Sequence, residues 1–137
     1  MKLTALRLTF AAAAMLAAAT TASAQTMKAE IPFSFEARNV LMQAGSYTVT
    51  LSHTSGGMLA EIYSVDQRRS VLALPHISES PLTPQNSTPV LTFACAEGRC
   101  ALLQMRDAAS TVYRFGTSKP TAGTHIATVM LRPDRAE

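Results

Sequence analysis

Residues 31–52, IPFSFEARNVLMQAGSYTVTLS, constrain the fold more than any other stretch. Two runs place an apolar residue at every second position: Ile31, Phe33 and Phe35, then Tyr47, Val49 and Leu51. In an extended chain successive side chains fall on opposite faces, so this period sorts the large residues onto one side of a strand. A strand is therefore expected over residues 28–36, with Ile31, Phe33 and Phe35 inward and Lys28, Glu30, Ser34 and Glu36 outward. Pro32 has no N–H for a ladder, which puts this strand at an edge or at a change of partner. Arg38-Asn39 reads as a turn, Val40, Leu41 and Met42 as a short strand, and Ala44-Gly45 as a reversal into a strand over residues 46–52. Ser46, Thr48 and Thr50 form the polar face of that strand.

The same texture continues. The turn at 53–57, His-Thr-Ser-Gly-Gly, uses residues that tolerate positive φ. A strand over 58–65 follows, with Leu59, Tyr63 and Val65 on one face and Met58, Ala60 and Ile62 on the other. Both faces are largely apolar, so periodicity alone does not choose the buried one. Residues 70–76 form the next strand, and 77–89 a proline-rich irregular segment expected to connect two sheets. Strands over 111–115 and 124–132 close the chain, the latter with Ala127, Val129 and Leu131 on one face. From Pro133 onward a charged, frayed tail is expected.

The clearest hairpin pairs 90–95 with 100–106 around Glu97-Gly98. A two-residue loop there sets Cys95 opposite Cys100 in a non-hydrogen-bonded pair, where cross-strand side chains come closest. These are the chain's 2 cysteines. In an exported protein they are expected to form a cross-strand disulfide, Cys95–Cys100.

Export itself is read from residues 1–24. Lys2 and Arg7 form a positive start, residues 8–19 an uncharged Ala-rich stretch, and Ala22-Ser23-Ala24 a small-x-small cleavage site. The apolar stretch falls short of the about 20 residues that span a bilayer. Cleavage after Ala24 leaves residues 25–137 as a single secreted domain, periplasmic or extracellular, with no transmembrane segment. Lys2 and Arg7 leave with the signal, so the excess of 12 Lys+Arg over 9 Asp+Glu nearly vanishes and does not mark a nucleic-acid partner. Trp is absent and no segment keeps a helical period. The expected fold is all-β: an antiparallel β-sandwich or partly open β-barrel of about eight strands, preceded by a signal-peptide helix.

The pattern Ile31-Pro32-Phe33-x-Phe35, an apolar pair, then Ala44-Gly45-x-Tyr47-x-Val49 resembles the N-terminal signature of a family of small, secreted, uncharacterised β-rich proteins of soil bacteria. The match covers residues 31–49 well, 58–74 loosely and the region of Phe93 weakly. Where that family has Leu-Pro-Ala-Gly, this chain has Met42-Gln43-Ala44-Gly45, and two cysteines stand where the family carries aromatics. The resemblance implies export and a β fold. It carries no catalytic or binding residues.

Candidate chemistry is sparse. His53, His76 and His125 lack ligand spacing and are expected at surfaces and strand boundaries, so no metal site is assigned. Glu30 and Glu36, on one polar face of a single strand, would stand roughly 20 Å apart, too far to flank a glycosidic bond. No G-x-S-x-G, phosphate loop or basic-aromatic interleaving occurs, so no catalytic residue and no cofactor are assigned. Two functions remain. One is an exported, non-catalytic binding or structural module; the other is a small barrel carrying a hydrophobic ligand. The partner is accordingly an unknown protein or a small apolar ligand. A closed ladder around a void would favour the carrier, and open sheets around a filled core the module. Convergence of His53, His76 and a carboxylate in one cleft would bring back an enzyme.

Overall fold

A computed structural model describes residues 25–78, 88–116 and 122–134. The expected signal peptide and its helix lie outside these residues, as do most of the irregular segment before Pro89 and the loop after Gly116. Every regular element described is a strand. In chain order they are β1 (Gln25–Ile31), β2 (Phe35–Ala37), β3 (Val40–Met42), β4 (Gly45–Thr54), β5 (Gly57–Ser64) and β6 (Arg69–Ala73). There follow β7 (His76–Ser78), β8 (Val90–Ala96), β9 (Arg99–Arg106), β10 (Val112–Arg114), β11 (His125–Met130) and β12 (Arg132–Pro133).

The fold is an open sandwich of two sheets, not a closed barrel. One sheet runs β12-β1-β4-β5-β6; the other runs β11-β8-β9-β10-β7, with β2 joined to β9 and β3 to β2. Twelve strands are described where about eight were expected. The excess arises because three extended runs bend from one sheet into the other. Pro32 breaks β1 from β2, and Pro75 breaks β6 from β7, each by withholding a ladder donor. At Leu131 the N–H still bonds Pro89 O at 2.9 Å, while Arg132 already faces Lys28 of β1. Consecutive residues of a strand direct their N–H groups to opposite edges, so one residue suffices to change sheets.

These corners correct several expectations. The run over 28–36 is not one strand: Glu30 and Glu36 belong to different sheets, and Phe33 sits half-buried in the crossing. The alternative offered for Pro32, a change of partner, holds. Ala44-Gly45 is a crossing between sheets rather than a hairpin, because β3 pairs β2 while β4 pairs β1. A Cβ on Gly45, at φ +156°, would collide with the Asp66 carboxylate, which accepts the Ser46 N–H at 2.9 Å. The segment before Pro89 does not join the sheets, since β7 and β8 share one; the crossing occurs at Leu74-Pro75. Nor is the tail frayed at Pro133. Pro133 pairs with Met27, Asp134 N–H bonds Thr26 O at 3.1 Å, and Lys28 Nζ meets the Asp134 carboxylate at 3.0 Å.

One pair is parallel, against the all-antiparallel expectation. Phe35 and Glu36 lie beside Cys100 and Ala101, so β2 occupies the first part of the β9 edge and β10 the last. The two inner faces form a single core. From β1, β4 and β5 come Met27, Ala29, Ile31, Tyr47, Val49, Leu51, Met58, Ala60 and Ile62; β8–β11 add Leu91, Phe93, Leu102, Met105, Tyr113 and Val129. The undecided face of β5 is thus settled: Met58, Ala60 and Ile62 are buried, whereas Val65 is exposed.

Candidate functional site

The two ends of the sandwich differ. At one end the crossing between β1 and β2 folds over the core as a plug. Phe33 meets Phe93 edge-on at 5.0 Å between ring centroids, and Phe35 meets both Tyr47 and Phe93 at 5.2 Å. Tyr47 is itself anchored, its hydroxyl donating to Gln43 O just before β4. Burial pushes the Tyr47 phenol above its ordinary range, so it stays protonated. The hairpin of β8 and β9 sits at this end. Glu97 (φ 54°) and Gly98 (φ 76°) form its two-residue turn, the left-handed pair that matches strand twist. Cys95 faces Cys100 with 4.0 Å between Cα atoms, and the two are joined as a disulfide.

Among the described residues the other end is open. A cleft of about 490 Å³ lies between the end of β4, the start of β5 and the turn from β9 to β10. Leu51, Met58 and Tyr113 give it apolar walls, while Gln25, His53 and Asp107 bring polar groups. Asp107 is buried and locks the turn that follows it. Its Oδ1 accepts the N–H groups of Ala109 (3.0 Å) and Thr111 (2.9 Å), and its Oδ2 accepts the Tyr113 hydroxyl (3.0 Å). Burial, reinforced by the adjacent Asp107 carboxylate, pushes the Tyr113 phenol up to about 12. Together the carboxylate and the phenol hold the turn between β9 and β10 in place.

The histidines do not converge. His53 lines the cleft, His76 lies opposite Arg114 on β7, and His125 lies opposite Cys95 at the plugged end. Among the described residues no group of three or more His, Cys, Asp or Glu is placed to hold a metal ion. The condition set for an enzyme is met only in part, since His53 and Asp107 share the cleft but His76 is not among its lining residues. A smaller depression of about 240 Å³ adjoins the disulfide, between Phe35, Glu36, Leu41, Arg99 and Cys100.

Sequence reasoning missed the Asp107–Tyr113 pair, although an aspartate opening a turn two residues ahead of a free N–H is a known local signal. It also missed Arg38, whose Nη1 donates to Leu72 O at 3.0 Å and so caps the outer edge of β6. That contact joins residues 34 positions apart and leaves no local trace.

Among the described residues no helix is long and apolar enough to cross a membrane. No family model, no curated protein and no solved structure matches the chain.

Proposed function

We propose that this chain is an exported β-sandwich module that binds or organises a partner without catalysing a reaction. Residues 1–24 direct its export and are removed after Ala24. The packed core between two open sheets carries this reading: among the described residues, large side chains fill the space between the sheets. Tyr47, Phe35, Phe93, Met42 and Met105 are all buried to 1% exposure or less, in the space a carrier would keep for its ligand. The disulfide supports an oxidising compartment. The resemblance of residues 31–49 to small secreted β-rich proteins supports export as well. A domain of this type acts through its end loops and strand edges, on a protein partner.

The alternative, a periplasmic or extracellular carrier of a hydrophobic ligand, draws on the cleft walled by Leu51, Met58 and Tyr113. Native mass spectrometry of protein purified from its own host separates the two. The module leaves the bare mass of the processed chain; a reproducible, stoichiometric apolar adduct would transfer the assignment to the carrier.

A further inference from the structure

We infer that the mature N-terminus is chemically closed: Gln25 cyclises to a pyroglutamyl lactam, and this neutral ring, not an α-ammonium, forms the edge of the cleft. The inference rests on the export reading, which makes Gln25 the first residue once the signal is removed. The reaction needs no co-reactant. The α-amine attacks its own side-chain Cδ, a Cδ–N bond forms, the Cδ–Nε bond breaks, and ammonia departs with the proton that the amine gives up. Both partners belong to one residue and meet in a five-membered ring, so proximity is built in.

The structure sets the stage in three ways. Gln25 is exposed, so its side chain is free to turn back on its own amine. It lies opposite Leu51 as the first residue of β1, and shares the inward face of that strand with Met27, Ala29 and Ile31. That face runs out into the cleft, where Gln25 joins Leu51, Met58 and Tyr113 in the wall. The lactam carries no charge at this edge, where a free terminus would carry an ammonium. Asp107, the carboxylate in the same cleft, is already engaged by Ala109, Thr111 and Tyr113.

Closure also protects a vulnerable strand. Met27 is 3% exposed and lies two residues from the new terminus. Thr26, Met27 and Lys28 hold β12 through the Asp134 N–H, the Pro133 pairing and the Lys28–Asp134 ion pair. An aminopeptidase working inward from a free Gln25 removes these anchors in successive cuts. A lactam presents no free amine to such an enzyme.

The test is N-terminal peptide mass spectrometry on protein secreted by its native host, with sequential Edman degradation as a second readout. The expected chain begins at residue 25, is lighter by one ammonia, and blocks Edman chemistry until pyroglutamyl aminopeptidase removes the ring and exposes Thr26. A chain beginning at Gln25 with a free amine overturns the inference and leaves the export reading standing. A chain beginning anywhere else overturns both the inference and the assigned cleavage site. Gln25→Ala, secreted in parallel, is expected to give a free terminus that a broad aminopeptidase trims faster than the wild type. Equal trimming would overturn the protective role.

Discussion

Replacing Phe93 with alanine tests the aromatic plug directly. Phe93 is 0% exposed and receives Phe33 and Phe35 edge-on at 5.0 and 5.2 Å. Truncating so buried a ring costs about 3–5 kcal/mol through lost transfer energy and the cavity left behind. Each edge contact contributes about 0.5–1.5 kcal/mol of that. A domain of this size holds only about 5–15 kcal/mol in total, so Phe93→Ala is expected to be marginal. Phe93→Leu keeps most of the volume, loses the aromatic edges and is expected to cost about 1–2 kcal/mol. The assay is urea unfolding of oxidised residues 25–137 followed by circular dichroism, with Phe33→Ala and the double variant completing a cycle. Coupling between positions 33 and 93 should reach about 0.5–1.5 kcal/mol. A Phe93→Ala loss below about 1 kcal/mol, or no coupling in the cycle, would refute the claim that this crossing seals the core.

Three further outcomes are expected. Replacing Cys95 and Cys100 together with serine should lower stability by about 2 kcal/mol, since the bridge closes a short loop, and should leave the circular dichroism spectrum unchanged. The Tyr113 phenol lies at 10.0 when unfolded and at about 12 in the fold, so its stabilisation is complete below pH 10 and lost as pH rises through about 12. Wild type should therefore lose up to about 2 kcal/mol more than Tyr113→Phe over that window, measured by urea titration at each pH. Glu97→Asn should raise the melting temperature, because Asn accepts the left-handed conformation of this turn at about 0.5 kcal/mol lower cost than Glu. An unchanged or lower melting temperature there would count against the turn assignment.

What the sequence disclosed was local. The alternation at Tyr47, Val49 and Leu51 named the buried face of β4, and Glu97-Gly98 fixed the register that sets Cys95 against Cys100. These signals are read from neighbours along the chain, where side-chain period and turn geometry are decided. The corners were harder. Pro32 marked a change of partner, but which sheet received β2 depends on the parallel contact with β9, some 65 residues away in the chain. Leu131 carries no breaker at all, and its bend follows only from β8 and β1 competing for opposite edges of one strand. The cleft was illegible for the same reason. Gln25, His53 and Asp107 meet only because three strand ends finish at one end of the sandwich.

That convergence bears on how any partner must be sought. The chain's two described ends come together, since Asp134 donates its N–H to Thr26 O and Gln25 lies on the cleft wall. A tether attached at Asp134 therefore starts beside Thr26 and the Gln25 side of the cleft. The hairpin tip at Glu97-Gly98 lies at the far, plugged end, where a Cβ on Gly98 meets nothing within 4 Å. Immobilisation through that tip leaves the open end clear. If the module binds through the loops around its cleft, a tip-tethered sample captures its partner and a sample tethered at Asp134 captures less. Equal capture from both orientations would move the contact to the sheet faces or edges.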